Sequence, residues 1–467
     1  MVPFRDCGKF VGLVPEVEII YICPYRYRSN FIPLNIGFKI IKMDKSFPRP
    51  TGPNEETSQE SPSGRAFTGF GSAALHAGHK HDPLYAHITP IYASSTFDYD
   101  EAEQGMRRFS GEEKGYIYSR WGNPNFTEAE EKIATLEAFG LTDKTGKPLQ
   151  LKALLHASGM AALTTLMISN LKKGDKILSH YSLYSGLEEL ITKILPQFGI
   201  EPVIVDLRDL NKAAEAIKAN PGIKLLHLET PANPTLQCVD LEELTKLAKA
   251  NNLLVSVDNT FATPYLQQPF RYGVDFVFHS TTKFLNGHGT AIGGILIGKD
   301  LEKMNGPVTK TYRTLGVNSN PFDAFLLCLG LKTLELRMDR HCHNAMEVAR
   351  FLEAKSTVAK VNYNGLVSHP DHTVAMKQMK HPGGMLSFEL KGGLKEGINF
   401  MNKLNMCIRT VSLGTAESIL CHPASMTHHA IPKEHREKYG ITDGLIRMSV
   451  GLENLQDIIA DLEQALG

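Results

Sequence analysis

Short apolar runs punctuate the middle of the chain and alternate with stretches whose apolar positions recur at helical spacing. Leu151–His156, Asp175–His180, Pro202–Asp206, Lys224–Glu229, Leu253–Asn259 and Val274–Phe278 read as strands, most of them apolar without strict alternation and therefore buried on both faces. Gly159–Leu171, Gly186–Phe198 and Asp240–Asn251 fall between them with a helical period. Ahead of these, Asn125–Phe139 carries Phe126, Ile133, Leu136 and Phe139 on one helical face. Such a rhythm predicts an α/β fold, a mainly parallel sheet with helices on both faces. Ligands in such sheets gather at the carboxyl ends of the strands. His156, Glu229, Asp258 and His279 are placed there by the pattern.

Outside the alternating region the pattern changes. A helical stretch from Pro321 to Leu352 leads into a smaller α/β domain over roughly 355–467. Before it, His87–Phe97 is punctuated by proline, and Tyr116–Pro124 forms an aromatic loop. Residues 1–42 mix brief apolar patches with basic residues and prolines, and none approaches the roughly 20 apolar residues that span a bilayer. They also lack the order of a secretory signal. From Met43 to about Gly64 the chain is rich in Pro, Ser, Glu and Thr and reads as disordered. Residues 1–66 are therefore expected to be an extension, disordered or, before Met43, not natively translated. An arm over 67–125, a large domain over 126–340 and a small domain over 341–467 complete the expected layout.

Composition narrows the function classes. The 467 residues carry 50 Lys plus Arg against 50 Asp plus Glu, a formal net charge of zero, which gives nucleic-acid binding no support. Apolar content of 42% and charged content of 21% are those of a soluble globular chain, with no membrane partner expected. Seven scattered cysteines suit reduced thiols in a cytoplasmic protein. Cys342 lies between His341 and His343, but adjacent helical residues diverge around the axis, so no metal site is expected there.

The candidate chemistry centres on Lys283, which follows the strand Val274–Phe278 in the run His279-Ser280-Thr281-Thr282-Lys283-Phe284-Leu285-Asn286-Gly287. Its amine is suited to a Schiff base with an aldehyde cofactor, while Ser280 and Thr282 are suited to hold a phosphate. Asp258, at the end of a buried strand, is suited to pair a protonated pyridine nitrogen, so the two together point to pyridoxal 5'-phosphate. Ser158-Gly159-Met160 opens a helix after a strand, where backbone N–H groups and the helix dipole favour an anion. Tyr118 and Arg120 offer a phenol and a guanidinium to the same phosphate, and Tyr184 a ring to lie over a flat cofactor. Arg447 lies in the apolar stretch Leu445–Val450, where an unpaired charge would be costly.

These motifs resemble the pyridoxal-phosphate-dependent Cys/Met metabolism family, the trans-sulfuration enzymes. The resemblance spans about residues 70–467 and rests on Tyr118-Ser119-Arg120, Ser158-Gly159-Met160, Glu229-Thr230-Pro231-Ala232-Asn233-Pro234, Val257-Asp258-Asn259-Thr260, the Lys283 segment, Ser412-Leu413-Gly414, His422–His428 and Arg447–Gly451. It implies the type I fold of pyridoxal-phosphate-dependent transferases. It also implies that Lys283 and Tyr184 are catalytic, and that Tyr118, Arg120, Ser158, Gly159, Met160, Tyr184, Asn233, Asp258, Ser280, Thr282 and Lys283 hold the cofactor. Ser412, Tyr184 and Arg447 are implied to bind an amino acid substrate, with Tyr118 and Arg120 reaching a neighbouring subunit's site in a homo-oligomer, a dimer at least and by expectation a tetramer. The implied reaction is γ-elimination on methionine, homocysteine or cystathionine. The alternative is γ-replacement on an O-acylhomoserine. Gly186 stands where methionine γ-lyases usually carry cysteine and cystathionine enzymes glycine, and Tyr312-Arg313 replaces a lysine–aspartate pair.

Overall fold

The computed structural model describes residues 67–429 and 432–467; residues 1–66, with the expected extension and the start at Met43, lie outside the described residues. The large sheet has strands β1 (Lys152–His156), β2 (Lys176–His180), β3 (Glu201–Val205), β4 (Ile223–Glu229), β5 (Leu254–Asp258), β6 (Phe276–His279) and β7 (Gly294–Gly298). Their order is β1-β7-β6-β5-β4-β2-β3. β7 runs antiparallel to β1 and β6, and the β6–β5–β4–β2–β3 ladder is parallel. The fold is thus α/β with a mainly parallel large sheet and a second, smaller sheet. β7 is the element missing from the sequence reading; its apolar run Ile295–Ile297 lies between glycines and is wholly buried.

Local chemistry sets the helix starts. Ser158 accepts the N–H of Ala161 and opens the helix Gly159–Asn170, and Asp240 accepts the N–H groups of Glu242 and Glu243 at the head of Leu241–Ala250. Each such cap is worth about 1 kcal/mol. The expected single helix over 186–198 is three pieces: α-helical Ser185–Glu189, a wide π turn over Leu190–Ile194 and a tight 3₁₀ turn over Leu195–Phe198. Pro196 has no N–H to give and its ring crowds the preceding turn, which accounts for the widened ladder before it. The stretch from Pro321 is two helices, Pro321–Leu331 and Leu334–Glu353.

Helix Leu334–Glu353 passes from one core to another. Leu334, Met338 and Cys342 pack in the cluster that includes Leu178, Val255 and Phe284, whereas Ala345, Val348, Ala349 and Leu352 pack in a second cluster with Phe388, Phe400 and Ile446. The second cluster backs the small sheet, with strands β8 (Val358–Asn362), β9 (Met385–Leu390), β10 (Ile408–Arg409), β11 (Ile419–Cys421) and β12 (Leu445–Ser449) in the order β10-β11-β12-β9-β8. Arg447 sits in the middle of β12, level with Cys421 on β11 and Ser387 on β9.

The segment from 67 onward is built differently. Its helices Phe70–His76 and Ala102–Ser110 flank a long irregular run, and the second helix has no counterpart in the sequence reading. His87–Phe97 is held at its end by an antiparallel bridge between Thr96 and Tyr118 and by the N–H of Ser119 on the carbonyl of Ser95.

Candidate active site

The carboxyl ends of β4 and β5 set the floor of the site. Glu229 and Asp258 are the last residues of these strands and face each other across the ladder. Asp258 is buried, and burial pushes its carboxyl above the usual range; bonds from Thr260 and the charge of His279 oppose that rise. His279, at the end of β6, is fully buried with its Nε2 2.5 Å from Oε1 of Glu137. Burial and the neighbouring Asp258 raise the Glu229 carboxyl, and the N–H groups of Asn233 and Tyr184 oppose that rise.

Lys283 lies beyond β6 in the turn Ser280–Asn286, half-buried, with its Nζ donating to Oγ of Ser412 at 3.3 Å. Burial, reinforced by the charge of Arg447, lowers its amine to about 8. The backbone carbonyl of Ser412 accepts from Nη2 of Arg447 at 2.9 Å, and that of Val411 from the same nitrogen at 3.3 Å. Nη1 of Arg447 donates to Oδ1 of Asn233 at 2.9 Å. The guanidinium is 5% exposed, its Nε has no hydrogen-bond partner, and among the described residues no carboxylate pairs with it. Asn233 donates its N–H to Oε1 of Glu229 at 2.8 Å, and Tyr184 donates its N–H to Oε2 at 2.7 Å. Lys283, Ser412, Arg447, Asn233, Glu229 and Tyr184 therefore form one connected set drawn from both sheets.

Of the expected phosphate residues, Ser158, Gly159 and Met160 open the helix Gly159–Asn170, and Ser280 lies against Gly159. A Cβ added to Gly159 would lie 3.2 Å from Cβ of Ser280, so these two residues wall a narrow cradle at that helix end. Main-chain N–H of Ser280 is held by Oγ1 of Thr260 at 2.9 Å. The hydroxyl of Thr282 accepts from the N–H of Gly293 at 3.0 Å and donates to its carbonyl at 3.2 Å, so it pins the chain that leads into β7. Tyr184 heads its short helix with its side chain exposed. A Cβ on Gly186 would fall 2.7 Å from Cε1 of Tyr184 and 3.2 Å from Sδ of Met160, so a side chain there would push the tyrosine ring aside. Glycine at 186 is what lets the tyrosine ring fold back over that position.

Tyr118 and Arg120 stand apart from this set. Arg120 stacks over the rings of Tyr118 and Trp121 and donates from Nη1 to the carbonyl of Arg313 at 2.6 Å. No hydrogen bond joins either residue to Lys283, Ser280 or the helix Gly159–Asn170 among the described residues. The sequence reading placed Glu229 at a strand end without giving it a task, although a carboxylate closing an apolar strand was the available signal.

The arrangement fits pyridoxal phosphate. It offers a partly neutral amine for an aldehyde, a buried acid without a cationic side chain bonded to it, and a helix N-terminus walled by Gly159 and Ser280 for a phosphate. Residues 71–467 match the family described as Cys/Met metabolism PLP-dependent enzyme. The chain is 48% identical over 405 residues to the L-methionine gamma-lyase of Fusobacterium nucleatum subsp. polymorphum, a match covering 85% of this chain and 98% of that protein. It is 41% identical to the cystathionine beta-lyase of Coxiella burnetii, covering 84% of this chain and 96% of that one. The fold superposes on a crystal structure of cystathionine gamma synthase from Xanthomonas oryzae pv. oryzae with a TM-score of 0.79 at 35% identity, covering 86% of this chain and 98% of the other. With the lysine, the acid and the anion cradle together at the strand ends, and relatives matched over nearly their whole lengths, the chain belongs to the pyridoxal-phosphate-dependent enzymes of Cys/Met metabolism.

Proposed function

We propose that the chain is a carbon–sulfur lyase that carries out γ-elimination on methionine, homocysteine or cystathionine, giving a 2-oxo acid, ammonia and a thiol. The observation that carries this reading is the shared contact at Ser412, whose hydroxyl meets the Lys283 amine and whose carbonyl meets the Arg447 guanidinium. An amino acid whose carboxylate is taken by Arg447 thereby has its α-carbon near the Lys283 amine. Arg447 suits that task because no carboxylate among the described residues pairs with its guanidinium, and a substrate carboxylate would meet that charge with charge-assisted bonds. Pyridoxal phosphate, when bound, supplies the electron sink for the carbon–hydrogen bond to be broken. Lys283 takes the proton from the α-carbon and then one from the β-carbon, whose electron pair expels the γ-sulfur, and its lowered pKa leaves a useful fraction of base near neutrality. Tyr184, exposed at the mouth, gives a proton to the departing sulfur. Water then completes release of the 2-oxo acid and ammonia.

The remaining assignments support the cofactor. Asp258 would hold the pyridine nitrogen, Asn233 the oxygen beside the aldehyde, and Ser158, Gly159, Met160, Ser280 and Thr282 the phosphate. Tyr118 and Arg120 would serve the site of a second copy of the chain, which is supported by the absence of any hydrogen bond from them to Lys283 among the described residues and by exposed Leu84, Tyr85, Met106 and Phe109 on the same segment. A tetramer is two such dimers. Free, buried cysteines at 238, 328, 342, 407 and 421 support a reducing compartment, the cytoplasm. No described helix is long and apolar enough to cross a membrane.

A second reading, γ-replacement on an O-acylhomoserine, is favoured by the likeness to a cystathionine gamma synthase structure. Steady-state assays decide between the two. Methionine, homocysteine and cystathionine should each be tested for 2-oxo acid and ammonia, beside O-acetylhomoserine with sulfide or cysteine. Elimination predicts a 2-oxo acid from at least one sulfur amino acid at a kcat/KM above that of any replacement. Efficient thioether or homocysteine formation without 2-oxo acid would transfer the conclusion to replacement.

A further inference from the structure

Glu229 is held in a way that its place in the core does not explain. It is 5% exposed, faces Asp258 across the β4–β5 ladder, and forms no ion pair among the described residues. Two carboxyl groups on adjacent buried strands are costly, and an apolar residue or an amide would relieve that cost. What the carboxylate gains is two backbone donors from separate loops. Oε2 accepts the N–H of Tyr184, which follows β2, and Oε1 accepts the N–H of Asn233, which follows β4. The first N–H of a short helix start and an amide in an irregular loop have no partner of their own in regular structure. Only an acceptor with two oxygens pointing apart can take both.

We propose that Glu229 is a positioning residue that clamps the Tyr184 and Asn233 loops together, so that the ring of Tyr184 and the side-chain amide of Asn233 arrive at the cofactor in fixed register. Asn233 in turn receives Nη1 of Arg447, so the clamp extends to the residue that takes the substrate carboxylate. The roles of Tyr184, Asn233 and Arg447 in this inference rest on the proposed function.

Three measurements test it. In the unmodified protein, the amides of Tyr184 and Asn233 should exchange with solvent on the order of 100-fold more slowly than free peptide amides. Exchange of both at the free rate would overturn the clamp whatever any variant does. Glu229→Gln keeps the volume but turns one acceptor into a donor that faces an N–H. It should weaken pyridoxal phosphate binding by about tenfold, alter the visible circular dichroism of the bound cofactor, and lower kcat more than it raises KM. Unchanged affinity and dichroism with a merely lower melting temperature would reduce Glu229 to a structural residue and overturn the proposal. Combining Glu229→Gln with Tyr184→Phe should give losses in kcat that are smaller than the product of the two, because the clamp acts through the tyrosine. Independent, multiplicative losses would contradict it. Exchange, affinity and dichroism involve no substrate, so a failure to cleave any sulfur amino acid would sink the proposed reaction and leave Glu229 to be judged by those readings.

Discussion

The strand ends of the large sheet and the loop around Tyr118 both carry residues expected at the cofactor, yet the chain treats them in opposite ways. Glu229, Asn233 and Arg447 are buried and joined in a chain by bonds of 2.8 and 2.9 Å, and Asp258 is buried across the ladder from Glu229. Tyr118 is 39% exposed, and Arg120 is satisfied by nearby rings and the carbonyl of Arg313. The first region is completed by this chain alone. The second is a surface with exposed apolar residues on the same segment, which is what the proposed shared site of a second copy would cover. The proposed site would thus be half preorganised by packing and half completed by assembly.

The comparison breaks most sharply at Lys283. Lys283→Ala should leave a folded protein that lacks the visible band of bound cofactor and loses on the order of 10³-fold or more in turnover. Turnover within a few-fold of the unmodified protein would remove Lys283 from the preorganised half.

Next in size is the arm. Arg120→Ala should cost on the order of 100-fold in kcat/KM with little change in melting temperature, since its bonds are at the surface. Mixing it with Lys283→Ala under conditions of subunit exchange should restore up to roughly a quarter of full activity, because some mixed dimers hold one intact site. Proven exchange without any recovery would place Arg120 in its own chain's site, or in none.

Arg447→Lys sharpens the buried half. A lysine cannot reach Asn233 and the two carbonyls while still offering two parallel donors to a carboxylate. The loss in kcat/KM should be about 1.5–3 kcal/mol with cofactor absorbance retained. An unchanged kcat/KM for the best substrate would leave Arg447 a purely structural link between the sheets.

The smallest effect is a pH profile. An amine must be neutral to attack an aldehyde, and burial brings Lys283 from 10.5 to about 8. The rate at which the cofactor-free protein captures pyridoxal phosphate should rise with pH up to about 8 and level off above it. A rate still climbing toward pH 10 would show an ordinary, solvated lysine.

Much of this is legible in the sequence alone. The apolar runs around Leu154, Leu226 and Val255 gave the large sheet to within a residue or two, since strands buried on both faces leave no polar alternation to confuse them. Lys283 and Asp258 were visible because each closes or follows such a run. Less was visible where local pattern and final neighbours disagree. The helix over 186–198 was expected to be regular, but Pro196 widened it. The helix Ala102–Ser110 was missed because its apolar residues Met106 and Phe109 face outward.

The sequence by itself determined the alternation of strands and helices, and placed Lys283 just after one strand, Asp258 at the end of another and Ser158-Gly159 at a helix start, because these depend on residues close together along the chain. Only the tertiary structure decided that β7 runs against its neighbours, that one helix serves two cores, and that Glu229 holds two loops. It alone joined Asn233 to Arg447 across 214 residues. Periodicity and motif spacing are local signals, whereas a pairing between distant elements is fixed by which faces must be buried together.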